Sequence, residues 1–388
     1  MIPYTESLYF SLLLCVALAA IALGLAERLS WRWVVAINVA MLAVQYASRI
    51  GLASPPTVRK IWIVIGYGVA QWLIARLFLR LRGGSNSRWR FRAVVVVALL
   101  PLLVVKFLGD LGSSYIGFLG ISYATFRGLD VLIGIQDRLI KSLSPGRYFT
   151  YLLFFPTISA GPIDRYTRFS ADAARRRTRV QFLQDLDGAV HRVFRGLLYK
   201  FILATLVKEY WLDPASAGTG FLSTVSYMYA YACFLFFDFA GYSAFAIAFS
   251  YLLGIHTQEN FNRPFLATNI VDFWNRWHIT LSTWFRDHVY MRFIMAAMRG
   301  RWFGSKLAMS CAGFYVSFGL MGVWHGTELR YLVYGLYHAT LLAGHTVLTD
   351  YRRRHPRVRR ALPWNLEGIF VTFHLVAFGL LIFSGRLG

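Results

Sequence analysis

Two histidines follow tryptophans in this sequence, in Asn275-Arg276-Trp277-His278 and in Gly322-Val323-Trp324-His325-Gly326. An imidazole changes charge near neutral pH and can take the proton from a hydroxyl as that hydroxyl attacks. Both lie among apolar residues, where an unpaired polar group is costly and marks a candidate site by default. Glu328 follows His325 closely, and Gly322 and Gly326, four residues apart, leave one helix face bare for a close helix contact or a narrow channel. Spacing leaves open whether His325 reacts or is a buried histidine bonded to a neighbouring helix. His338 and His374, also in apolar runs, read as packing residues. No Gly-x-Ser-x-Gly elbow, HExxH or P-loop is present, so hydrolysis, zinc chemistry and ATP use are unsupported. The three cysteines, Cys15, Cys233 and Cys311, sit singly in apolar runs, which gives neither a disulfide framework nor a metal site. The chemistry left to these histidines is general-base removal of a proton from an incoming hydroxyl.

The elements that must position them read as membrane helices. The 388 residues are 57% hydrophobic and 15% charged, against about 25% charged for a soluble domain. Apolar runs such as Leu8–Ala26, Ile61–Leu79, Ala93–Val105 and Ser223–Phe237 approach the ~20 residues that span hydrocarbon. The start, with Met1, Ile2, Pro3, Tyr4 and Glu6, lacks a basic leader region and reads as a retained first span. The net charge of +23 has no separate basic domain behind it, so it is assigned to cytoplasmic loops facing anionic headgroups and not to nucleic acid. The basic run Arg80–Arg92 then lies inside. Counting from it puts the N-terminus outside, Glu27–Trp31 inside, Gly51–Thr57 outside, Arg165–Arg179 inside and Arg352–Arg357 inside. The expectation is an all-α polytopic membrane protein with about eleven membrane-embedded helices, in a single domain over residues 1–388.

Two segments break the pattern. In Phe154–Tyr166, Pro156 and Gly161-Pro162 interrupt the helix; the segment is either a structural kink or a re-entrant wall whose freed backbone groups line a polar cavity. In Asp272–Met298, Phe273, Trp277, Leu281, Phe285 and Val289 recur every four residues. That stripe predicts an amphipathic helix along the inner membrane face, with His278 beside it.

Together these segments resemble the membrane-bound O-acyltransferase (MBOAT) superfamily, and within it the DltB family of D-alanyl-transfer proteins. Phe154–Phe169 (FFPTISAGPIDRYTRF) is similar to the family's re-entrant signature, Asn275–Phe293 (NRWHITLSTWFRDHVYMRF) to its cytoplasmic-helix signature, and Met321–Leu342 (MGVWHGTELRYLVYGLYHATLL) to its histidine signature. The leucine-glycine continuation usual in the alginate-acetylation branch is absent, since Val289-Tyr290-Met291-Arg292-Phe293 follows Arg286-Asp287-His288. The resemblance implies a bundle with re-entrant and interfacial helices around a central funnel and tunnel, in a bacterial cytoplasmic membrane. It implies that D-alanine arrives as a 4'-phosphopantetheine thioester on a small acidic carrier protein (DltC-like), with no bound cofactor. His325 maps onto the catalytic histidine and His278 onto the second, near the inner mouth. Trp324, Trp277, Asn275, Ser282 and Arg286 would line the tunnel, and Met291, Ile294 and Met295 would dock the carrier, with Arg286, Arg292 and Arg299 steering it. The acceptor implied is teichoic acid, with another envelope glycan or lipopolysaccharide as the alternative. A DltD-like extracellular partner and a small DltX-like peptide complete the implied set.

Two other readings stay open at this stage. One is an exopolysaccharide O-acetyltransferase of the alginate-acetylation type. The other is a transporter or envelope-assembly scaffold without enzyme activity, although the breaks at Pro156 and Gly161-Pro162 have no clear second-half counterpart of the kind transporters show.

Overall fold

A computed structural model of the chain describes residues 3–46, 55–84, 87–355 and 365–387. The expected outer turn at residues 51–57 falls mostly outside that set, as do Pro356 and Arg357 of the last basic run. The described residues are helical, joined by turns, with a single isolated β-bridge. Among the described residues five helices are long and apolar enough to cross a membrane: Ser7–Leu25, Val58–Arg82, Phe221–Leu252, Lys306–His325 and Leu366–Ser384. They expose large apolar side chains such as Leu14, Leu18, Trp62 and Phe370, which suits a hydrocarbon surround. The other expected spans are shorter, more charged or broken. For example, Arg179–Gly196 continues into π-helical turns at Leu197–Leu203 and Lys208–Leu212.

The chain forms two compact units. One comprises residues 1–196 and 242–258, the other 197–241 and 259–388. The long Phe221–Leu252 helix contributes to both.

In the first unit the sequence break at residues 153–162 is buried, and protein groups take up the backbone atoms it frees. Asn38 accepts from the Phe155 N–H (2.8 Å) and donates to the Leu153 carbonyl (3.2 Å). Gln45 donates to the Phe155 carbonyl (3.1 Å), and the Tyr4 hydroxyl to the Pro156 carbonyl (3.1 Å). Arg127, only 1% exposed, donates to the carbonyls of Tyr151 (3.1 Å), Leu152 (3.3 Å) and Thr157 (3.0 Å) and to the Thr157 hydroxyl. Of the two sequence alternatives, the released groups at these positions are therefore held by side chains and do not line an open cavity. Just beyond, Asp130 accepts from the Tyr151 hydroxyl and the Tyr166 N–H and pairs with Arg165 at 3.1 Å.

In the second unit the Lys306–His325 and Leu329–Arg354 helices meet backbone to backbone. A Cβ at Gly322 would collide with the Tyr331 carbonyl, and one at Gly335 with the Phe318 carbonyl. The bare face read at Gly322 is thus a close helix contact. The expected single helix over 272–298 is instead three: Ile270–Trp274, Ile279–Phe285 and Met291–Gly300, the last two joined by a π-turn at Arg286–Tyr290. The four-residue stripe survives because Phe273, Trp277, Leu281 and Phe285 are all buried, but the helix breaks after Trp274 and restarts beyond the left-handed His278.

The Arg127 bonds give a stability prediction. Arg127→Leu strands several buried acceptors and should lower unfolding stability by about 3 kcal/mol or more, read as a loss of thermal midpoint in detergent. An unchanged midpoint would mean that these acceptors find other partners.

Candidate active site

His278 stands at a left-handed backbone position (φ 43°, ψ 50°), a conformation that non-glycine residues hold only when their surroundings fix it. Residues 260–262 fix it. Phe261 and Trp277 form the isolated antiparallel bridge. The Asn262 N–H donates to the Arg276 carbonyl and the Ile279 N–H to the Asn260 carbonyl, both at 2.9 Å. The Asn260 side chain completes the clamp: its Oδ1 accepts from the Thr280 hydroxyl (2.8 Å) and the Thr280 N–H (3.3 Å) and lies 3.1 Å from His278 Nδ1. Two donors on that oxygen identify it as the carbonyl end of the amide, so His278 Nδ1 carries the hydrogen and Nε2 keeps its lone pair. The Phe239 ring meets the imidazole edge-on at 4.8 Å.

His278 lies outside the five candidate spans and is buried. Burial, and then the repulsion of a positive charge on His325, hold its pKa far down, from 6.5 to about 3. That second cause shows the two histidines close enough to feel each other. It also makes His278 a neutral hydrogen-bonding group at any ordinary pH.

His325 ends its helix, and Gly326 leaves it in an extended conformation. Its ring is partly exposed and framed by Trp324 (4.6 Å), Phe383 (5.0 Å), Tyr334 (6.1 Å) and Tyr331 (6.4 Å, stacked). Arg330 braces this frame. Its guanidinium lies over the Tyr331 ring at 4.9 Å, donates to the Ser384 carbonyl at 3.2 Å and pairs with Glu328 at 2.8 Å. A histidine partly open to its surroundings and walled by rings can bind a small acyl group and exclude bulk water.

The remaining sequence candidates divide. Trp277 is buried among Phe236, Phe261, Phe265 and Phe273, and the Ser282 hydroxyl donates to the Trp277 carbonyl at 3.2 Å. Asn275 is exposed at the end of its short helix, and Arg286 is exposed and paired with Asp287. Met291 and Met295 are exposed on one face with Met298. Ile294 is half-buried and turned toward Gly313 of the next helix. His338 is fully buried, has no hydrogen bond at either ring nitrogen among the described residues, and is packed by Trp274, Tyr334 and Tyr337. His374 bonds the Phe370 carbonyl one turn earlier at 2.7 Å. Sequence reading missed Asn260, Thr280, Tyr331, Tyr334 and Phe383. The only local sign of Asn260 is the polar run Gln258-Glu259-Asn260 after a long apolar helix.

Comparison with known proteins decides the family. The model of MBOAT, the membrane-bound O-acyltransferase family, matches residues 131–384. This chain belongs to the membrane-bound O-acyltransferase family. It is thus an acyltransferase and an all-α polytopic membrane protein. It is 38% identical to the teichoic acid D-alanyltransferase of Bacillus subtilis (strain 168), over 100% of this chain and 98% of that protein. It is 35% identical to the teichoic acid D-alanyltransferase of Streptococcus thermophilus, over 99% of this chain and 95% of that one. The probable alginate O-acetylase AlgI of Pseudomonas aeruginosa is 30% identical over 62% of this chain and 43% of its own length. The matched stretch of the O-acyltransferase model contains His278 and His325.

The lowered pKa of His278 sets a pH expectation. Between about 3 and 6.5 the unfolded chain takes up a proton that the folded site refuses, so stability is full above pH 6.5 and falls as pH drops toward 3. Nitrogen NMR of histidine-labelled protein at pH 6 should show His278 neutral and protonated at Nδ1, and Asn260→Ala should lose that tautomer preference. A doubly protonated ring at pH 6 would contradict the assignment.

Proposed function

We propose that this acyltransferase moves D-alanine from a carrier-protein thioester on the cytosolic side of a bacterial cytoplasmic membrane to a hydroxyl on the outer side, for D-alanylation of teichoic acid. The observation that carries this reading is the end-to-end match to teichoic acid D-alanyltransferases, against a partial match to the acetylases.

The chemistry follows from the two imidazoles. His325, partly open in its aromatic frame, takes the acceptor hydroxyl's proton as the oxygen attacks the thioester carbonyl. The tetrahedral intermediate then collapses, the carbon–sulfur bond breaks, and the imidazolium returns the proton to the departing thiolate. His278 stays neutral and offers Nε2 as a hydrogen-bond acceptor, which positions the incoming arm without competing for the proton. The Trp324, Tyr331, Tyr334 and Phe383 rings keep water from the thioester.

For the donor, we assign the 4'-phosphopantetheine carrier to the exposed face of Met291, Met295 and Met298, with Ile294 supporting it from behind. Met side chains adapt to a partner's apolar surface, and exposed Arg286 and Arg299 would speed encounter with an acidic carrier. The N-terminus outside, the DltD-like outer partner and the DltX-like peptide belong to the same proposal.

The test uses inverted membrane vesicles supplied with D-alanyl-loaded carrier, comparing wild type with His325→Ala. Transfer should fall by about 10²–10⁴-fold, the usual contribution of a general base, while carrier binding is retained. Undiminished transfer would remove His325 from the chemistry. Transfer from an acetyl donor in place of the D-alanyl carrier would favour the acetylase reading.

A further inference from the structure

The antiparallel Leu329–Arg354 and Asn365–Ser384 helices cross where the Tyr337 hydroxyl donates to the Leu375 carbonyl at 2.9 Å. Away from that crossing, toward the Arg352 end, they bound a groove of about 520 Å³. Leu341, Leu348, Val371 and Leu375 form its apolar part, the preceding segment, residues 268–270, also lines it, and Arg352 lines it at the end of the Leu329–Arg354 helix. Among the described lining residues none is Asp or Glu.

Gly344 also lines this groove, in mid-helix, and a Cβ there would meet nothing within 4 Å. A glycine in a helix interior costs roughly 0.5–1 kcal/mol relative to alanine. Gly322 and Gly335 answer that cost with close helix contacts, whereas at Gly344 no described group comes within 4 Å of a Cβ. The indentation therefore fits something outside the chain.

Length and charge identify the occupant. From Leu341 to Arg352 the helix rises about 16 Å at ~1.5 Å per residue, close to half of the ~30 Å hydrocarbon thickness. One leaflet's acyl chain has that length, and a guanidinium at its end sits at headgroup depth, where basic side chains attract anionic lipid.

We propose that this groove is a specific site for an anionic phospholipid, with an acyl chain laid over Gly344 between Leu341, Leu348, Val371 and Leu375 and its phosphate at Arg352. Such a lipid would brace the far ends of the two helices whose other ends carry Tyr331, Tyr334 and Phe383 around His325. The site does not depend on which acyl group the enzyme transfers.

The experiment measures phospholipid retained by the purified protein, by native mass spectrometry. The probes are phosphatidylglycerol and phosphatidylcholine of equal chain length, and a thermal-unfolding check on each variant shows that it is folded. Wild type should retain phosphatidylglycerol in preference to phosphatidylcholine. Arg352→Gln should cut that preference about fivefold, the effect of one surface cation, and leave phosphatidylcholine retention unchanged. Gly344→Phe, which enters open space, should reduce retention of both lipids. Unchanged retention in folded Arg352→Gln and Gly344→Phe proteins would overturn the proposal. So would displacement of the lipid by inorganic phosphate alone, which would make Arg352 a simple anion site.

Discussion

A peptide group released by a helix break in an apolar interior must find a partner inside the protein, and that constraint governs both broken segments here. At Leu153–Thr157 the partners are Tyr4, Asn38, Gln45 and Arg127, which tie the early helices to the break. At Trp277–His278 they are the backbone of residues 260–262 and the Asn260 amide. The second case couples fold to chemistry, because the clamp that satisfies the backbone also selects the His278 tautomer. The left-handed turn is not a defect to be tolerated. It is what points an imidazole inward from a segment whose neighbours are short helices.

In the proposed mechanism the two histidines divide the work through their surroundings. His278 is buried, bonded at one nitrogen and held neutral. His325 has partial access and an aromatic frame braced by Arg330. A neutral hydrogen-bonding group and a group able to take a proton are what acyl transfer to a hydroxyl needs. The repulsion between them opposes both being charged together.

Much of this was legible in the sequence. Tryptophan-histidine pairs in apolar runs pointed to the candidate site, and the Gly322 spacing to a close helix contact or a channel, of which the structure has the contact. The apolar stripe of Asp272–Met298 was legible as burial but misleading as geometry. Phe273, Trp277, Leu281 and Phe285 keep their four-residue spacing across a helix break at residues 275–278, so periodicity alone described one helix where there are several. Asn260 was invisible because its partner lies 18 residues away and short polar runs after a span usually mark a loop. The ring frame of Tyr331, Tyr334 and Phe383 was hidden for a similar reason: it comes from two helices, and aromatic residues there are equally expected as lipid-facing or packing groups. His338 shows the converse. Among the described residues it has three rings around it and no hydrogen bond at either ring nitrogen, so the apolar surroundings that flag a candidate suit a packing histidine equally well.

The central claim is that an acyl group loaded on one face is delivered to a hydroxyl on the other through the His278–His325 unit. The most direct measurement uses proteoliposomes of defined orientation, with radiolabelled D-alanyl carrier supplied to one face only and the acceptor enclosed on the opposite face. The account predicts labelled acceptor only when the carrier meets the Met291–Met298 face. Equal labelling with the carrier on either side, or labelling only when donor and acceptor share a side, would contradict it.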